Sequence, residues 1–196
     1  MDSTQRTTVS HPAAQCHWCS LGEQPPGAYG GRMDLRDATV DDAVLLRDLL
    51  LEAYNWTGEV RVTRDAIARD PHAARYLQGW MRPGDLGLVA EDRSGAGGPV
   101  AIGAVWARAL PGDAPGYGYV ADDVPELGMA VVADARGRGV GTALLARFLE
   151  RARALGWRAV SLSVEDGNDR ARALYDRHGF RVVGRTGDSD TMLRTL

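Results

Sequence analysis

A chain of 196 residues can fill one domain with a sizeable core but not comfortably two, so one domain and a tail are expected. Hydrophobic residues at 44% and charged residues at 25% are average for soluble globular proteins, and no apolar run is long enough to span a bilayer. The formal net charge of −3 gives no general attraction to nucleic acid, and the complete absence of lysine excludes a P-loop, which needs one.

Residues 1–32 are rich in Ser, Thr, Pro and Gly, end near GEQPPGAYGG, and are expected to form a disordered tail ahead of a domain over residues 33–196. Cys16 and Cys19 form a CxxC beside His11 and His17, a pattern that can hold zinc or cycle as a redox pair. One pair supplies only two ligands and no second pair follows, so no metal is expected. No apolar signal-peptide core follows MDSTQRTTVS, which makes the cytoplasm the expected compartment.

MDLRDAT reads as a short strand, followed by a helix capped by Thr39 or Asp41 with Val44, Leu45, Leu49 and Tyr54 among its apolar positions. A second helical stretch is predicted over about Arg64–Met81, then strands over about Leu86–Glu91 and Val100–Ala107, joined by the turn DRSGAGG. LPGDAPGYGYVADDVP is long for a connection, and long loops kept inside compact domains are often functional. ELGMAVVA forms the next strand, over about Glu126–Ala133, and DARGRGVG feeds a helix ending near Gly156. Leu144, Leu145, Phe148, Leu149, Ala152 and Leu155 share one face of that helix. RAVSLSV is a further strand, Asn168 caps a short helix closed by Gly179, and FRVVG and TMLRTL are the last two strands. Strands and helices alternating around one hairpin give an α/β fold with a mixed sheet.

The stretch ARGRGVGTALL, from Ala135 to Leu145, sets glycines at every second position before an apolar helical run. Glycine lets several backbone N–H groups approach one point, and the helix N-terminus adds fractional positive charge, so this is a cradle for phosphate. Arg136 and Arg138 add full charges suited to a diphosphate; the plainer reading is a tight turn with solvated arginines. A Rossmann fingerprint fits poorly, because Thr142 stands where its third glycine or alanine belongs, although Glu165 falls about where a ribose-binding acid would.

RGRGVG at Arg136–Gly141 resembles the R/Q-x-x-G-x-G/A motif of the GNAT superfamily of acyl-CoA-dependent N-acyltransferases, and NDRARALYDRHGF resembles that family's downstream Asn…Ala…Leu-Tyr…Gly-Phe segment. The two occur in the family's order, with a helix and a strand between them, and the resemblance is strong from about Glu126 to Gly184. It implies a mixed, mostly antiparallel sheet whose central parallel strand pair is splayed to hold acyl-CoA, with helices on both faces. It implies a bulge in the first cleft strand, freeing the backbone of Met129, Ala130 and Val131 to bind the pantetheine arm. It places the diphosphate on Gly137, Arg138, Gly139, Val140, Gly141 and Thr142, near Arg136, with Asn168 as a further cofactor contact.

By the same resemblance Tyr175, seven residues after Asn168, is the general acid for the departing thiolate, its alternative being a structural tyrosine. Glu126 is the candidate base, with Asp122, Asp123, Tyr117 and Tyr119 as rivals and a solvated surface position as the plain alternative. Ser163 stands where some protein N-terminal acetyltransferases of the superfamily place a glutamate, which counts against a ribosomal-protein acceptor. Tyr54, Trp56 and Trp80 are candidates to complete an acceptor pocket. The expected activity is an N-acetyltransferase moving an acetyl group from acetyl-CoA to a primary amine of a small molecule or protein by direct attack. The second reading is a non-catalytic acyl-CoA-binding regulatory domain. Expected partners are acetyl-CoA and an amine acceptor, with a homodimer left open and no nucleic acid or membrane partner.

Overall fold

The computed structural model describes residues 32–196, so the expected tail with Cys16 and Cys19 lies outside the described residues. In chain order the elements are β1 (Met33–Asp37), α1 (Ala43–Tyr54), α2 (Arg64–Arg69), α3 (Pro71–Arg75), β2 (Leu86–Asp92), β3 (Val100–Arg108) and β4 (Glu126–Val131). They continue through α4 (Val140–Ala154), β5 (Ala159–Glu165), α5 (Asp169–Arg177), β6 (Arg181–Thr186) and β7 (Ser189–Thr195). One seven-stranded sheet carries them in the order β1-β2-β3-β4-β5-β7-β6, antiparallel throughout except for the parallel pair β4 and β5. No helix among the described residues is long and apolar enough to cross a membrane.

Both faces of the sheet are covered. Along β3, Val105 and Ala107 pack into the core beneath α4, while Ala104 and Trp106 pack into a second core beneath α1–α3. A strand buried on both faces reads as a continuous apolar run, which is how AVWA appears in the sequence. In α4, Val140, Leu144, Leu145, Phe148, Leu149 and Ala152 are buried, whereas Leu155 lies at the C-terminal cap and is 55% exposed. In α1 the buried positions are Leu46, Leu49 and Leu50, and Val44 faces solvent.

The helical stretch expected over 64–81 is broken in two. Asp70 ends α2 in an extended conformation and caps α3 by accepting from the His72 N–H at 2.8 Å, with Pro71 in the first turn. Proline fits there because its missing N–H has no partner to lose. Beyond α3 the chain is anchored by Arg108, which donates to the carbonyls of Arg75 and Gln78 at 2.9 Å each and pairs with Asp85 at 2.5 Å. That ion pair is almost fully buried, and it fixes the segment that carries Tyr76.

The parallel pair is where function becomes visible. β4 and β5 are in register only at Glu126 and Ser161, beside a bond from the Ser161 N–H to the Pro125 carbonyl at 3.0 Å. Beyond that rung the strands part, because a ladder holds only at a spacing of about 4.8 Å. Gly118 lies against the backbone of Leu162 and Ser163, the stretch of β5 that the next rung would use, and any Cβ there would collide with it. The bulge expected in β4 is absent: its register with β3 is continuous from Glu126 to Val131, and the register shifts among the described strands lie between β2 and β3 and between β6 and β7. Divergence from β5, not a bulge, is what strips the β4 edge of ladder partners.

Candidate active site

A cleft of about 880 Å3 opens where β4 and β5 separate. Met129, Ala130 and Val131 line one wall, and their edge facing β5 has no ladder. The floor of the opposite end is the loop into α4. Gly137 and Gly139 hold φ of +78° and +83°, in the left-handed region where a Cβ is penalised. Gly139 is the N-cap of α4 and offers no side chain, so no side chain caps the helix, and the first intrahelical bond is Ala143 N–H to the Gly139 carbonyl at 3.0 Å. The amides preceding Ala143 therefore have no intrahelical acceptor, and those of Gly139 to Thr142 lie at the positive end of the helix dipole. Gly137, Gly139, Val140, Gly141 and Thr142 line the cleft; Arg138 does not.

Arg136 lines the cleft, and its charge is already engaged. Its guanidinium turns inward, donating to the carbonyls of Val131 and Trp56 at 3.0 Å each and to Glu52 at 2.6 Å. It ties the loop to α1 with its charge already balanced. The arginine that does reach the glycine loop is Arg170 in α5, whose Nη2 lies 2.6 Å from where a Gly137 Cβ would stand. Sequence reading missed it, although its place in the first turn after Asn168 was the available signal.

Asn168 takes the structural role foreseen for it, its carboxamide oxygen accepting from the Ala171 N–H at 3.2 Å, and it also lines the cleft. Tyr175 lies on the same helix, lines the cleft, and is 7% exposed; burial pushes its phenol up to about 12. It packs against Phe180 with ring centroids 5.8 Å apart.

Glu126 is buried, not solvated. Its Oε1 accepts from the Tyr76 hydroxyl at 2.6 Å and from the Gly118 N–H at 2.8 Å, while Oε2 is buried with no partner among the described residues. Burial raises its carboxyl above the ordinary range, and the two donors partly oppose that rise. Tyr76 in turn accepts from the Tyr117 N–H at 2.9 Å, so loop, helix and strand meet at this carboxylate. Burial beside Glu126 holds the Tyr76 phenol well above its usual value. Tyr76 lay hidden inside a predicted helix and had no local signal. Among the rivals only Tyr117 lines the cleft: Asp122 is taken by the Gly112 N–H and the Tyr119 hydroxyl, and Asp123 pairs with Arg158.

Tyr54 and Trp56 line the cleft as expected, but Trp80 belongs to the core and donates to the Thr39 carbonyl at 2.9 Å. Trp106, also in the lining, presents an indole N–H that is buried with no acceptor among the described residues. Glu165, the acid that kept a dinucleotide reading open, is engaged by Trp56 Nε1 at 2.7 Å and by both terminal nitrogens of Arg61 at 2.8 and 2.5 Å. That contact fastens the segment after α1 to the end of β5.

Known proteins give the same picture. Mycothiol acetyltransferase from Propionibacterium freudenreichii is 32% identical over 91% of this chain, which spans 50% of that protein; the chain covers about half the length of the curated relatives it matches. A putative acetyltransferase from Salmonella typhimurium, solved with acetyl-CoA, shares the fold with a TM-score of 0.61 at 21% identity, over 84% of this chain and 94% of that one. Ribosomal-protein-alanine N-acetyltransferase from Brucella melitensis superposes with a TM-score of 0.59 at 25% identity, over 83% of this chain and 99% of that one. Residues 46–180, from α1 through the splayed strands and glycine loop to the end of the Asn168 helix, match the Acetyltransferase (GNAT) family, and to that family this chain belongs.

Proposed function

We propose that this chain is an N-acetyltransferase that takes its acetyl group from acetyl-CoA and passes it to a primary amine. The observation that carries the reading is one cleft holding an unladdered strand edge, an uncapped helix N-terminus and two protonatable groups, Glu126 and Tyr175. The residues fit the donor. Amides of Gly139 to Thr142 would hold its diphosphate, and the backbone of Met129 to Val131 its pantetheine arm.

Glu126 takes a proton from the incoming ammonium, directly or through one water, since its raised carboxyl is a stronger base than an exposed glutamate. The amine nitrogen then bonds to the carbonyl carbon while a backbone N–H of β4 steadies the oxygen; the nitrogen gives up its second proton to water, and the carbon–sulfur bond breaks with its electron pair leaving on sulfur. Tyr175 meets the departing sulfur. Burial raises its phenol and so favours a hydrogen bond to the sulfur over full proton transfer; Tyr175 donates to the departing thiolate, which takes its proton from water.

The acceptor inferred is a small cationic amine. The carboxylate at the head of the cleft and its ring of Tyr54, Tyr76 and Tyr117 suit a cation, and the relative named above is named for a small molecule. A purely regulatory role leaves the buried, tyrosine-bonded carboxylate unexplained, and the relatives' names are those of transferases. Thiol release from acetyl-CoA across a panel of small amines is the test: turnover with at least one is expected, and donor binding without turnover on any would overturn the reading.

A further inference from the structure

A second hollow, of about 380 Å3, lies between the C-terminal half of α4, the end of α5 and β7. Arg153, Arg177, His178 and Arg194 line it from those three elements. Arg153 stands about 20 Å along α4 from the Gly139 cap, so this is not the glycine cradle, although Arg177 borders both.

Three features set the hollow apart from ordinary arginine-rich surface. Arg153, Arg177 and Arg194 have no carboxylate partner among the described residues, whereas nearby Arg151, Arg172 and Arg185 meet Asp37, Asp190 and Asp166. The single acid in the lining, Glu150, is taken by Arg147 at 3.0 Å. Arginines gathered around one hollow with no carboxylate to balance them make its potential positive, which favours an anion.

The second feature is that Arg194 is held in place. Its guanidinium lies on Gly179, where a Cβ would stand 2.5 Å from Nη1, and its Nε is buried with no acceptor among the described residues. A buried donor left unmade is costly, and an oxyanion would satisfy it. Thirdly, His178 Nδ1 lies 2.8 Å from the Leu174 carbonyl and so carries the hydrogen, which fixes the ring; its Nε2 can donate to an anion only in the doubly protonated imidazolium, a form that a bound anion favours.

We propose that this hollow binds a phosphate-class oxyanion, either free phosphate or the phosphoryl group of a small metabolite. Guanidinium forks grip tetrahedral oxyanions in pairs, which a single surface arginine cannot do. The test is an NMR titration of the whole chain at constant ionic strength, with inorganic phosphate and, in parallel, glycerol 3-phosphate. The readout is resolved by residue because the bare amides of α4 are another place for an anion.

Saturable shifts at the Gly179 amide and Arg194 Nε–H are expected, weakened about tenfold or more by Arg153→Glu, an exposed substitution that leaves the fold intact by circular dichroism. Arg194→Leu should abolish them while shifts at 137–142 persist. Tighter binding of glycerol 3-phosphate would assign the site to a phosphorylated metabolite, and equal binding to free phosphate. Shifts that do not saturate, that are unchanged in Arg153→Glu, or that occur only at 137–142 would overturn the proposal.

Discussion

Removing one hydroxyl, in Tyr76→Phe, tests whether Glu126 is the base. That hydroxyl donates to Glu126 Oε1 at 2.6 Å and favours the charged carboxylate, leaving only the Gly118 N–H once it is gone. A hydrogen bond to a charged group contributes about 1.5–3 kcal/mol, and each pH unit of a titration corresponds to about 1.4 kcal/mol. The acid limb of kcat/KM should therefore move to higher pH by about one to two units, with the plateau rate largely kept. The same change orphans the Tyr117 N–H, so the protein should lose about 1–3 kcal/mol of stability in urea melts. Glu126→Gln is the companion: it should remove the limb altogether and lower kcat by about 100-fold or more. A limb that stays put in both variants would show that Glu126 does not titrate in catalysis.

The buried carboxyl also has a stability signature. Its folded pKa is raised, so its contribution is fully present below the ordinary carboxylate range and is lost as pH rises through the folded value; Glu126→Gln should therefore gain on the wild type in thermal melts as pH rises above the ordinary carboxylate range. Tyr175→Phe should cut kcat by about 10- to 100-fold while calorimetry finds acetyl-CoA affinity nearly unchanged, and equal loss of affinity would make it a packing residue. Gly139→Ala forces a Cβ into φ of +83° at a cost of about 1–2 kcal/mol and should raise the acetyl-CoA KM with little change in kcat at saturation. Asp85→Ala leaves the Arg108 charge buried and unpaired, and chemical denaturation should show a loss of about 3–5 kcal/mol.

Much of this protein could be read without coordinates. The alternation along β5, the apolar face of α4, the Asn168 cap and the spacing of glycines before Val140 are local patterns, set by periods of two and 3.6 residues and by the backbone needs of turns. Each was legible because its cause lies within a few residues of itself. The resemblance to acyl-CoA transferases rested on the same stretch, whose residues line one half of the cleft.

The acceptor half was decided by tertiary structure. Glu126 is a base candidate already in the sequence, but its burial and the hydrogen bond it accepts from Tyr76, fifty residues earlier, come from the fold, and Tyr76 is held there by the buried Arg108–Asp85 pair. No periodicity announces such a contact. Arg136 lines the cleft, but only the fold pairs its charge with Glu52 of α1, and only the fold brings Arg170, from a helix beyond β5, to the same loop. Even the cleft opens by the parting of β4 from β5 beyond Glu126 and Ser161, where Gly118 lies against β5, and not through a bulge in β4. A side chain's intrinsic chemistry is local, but its charge state and reach depend on which distant groups the fold sets beside it, and that is settled only when the chain has closed on itself.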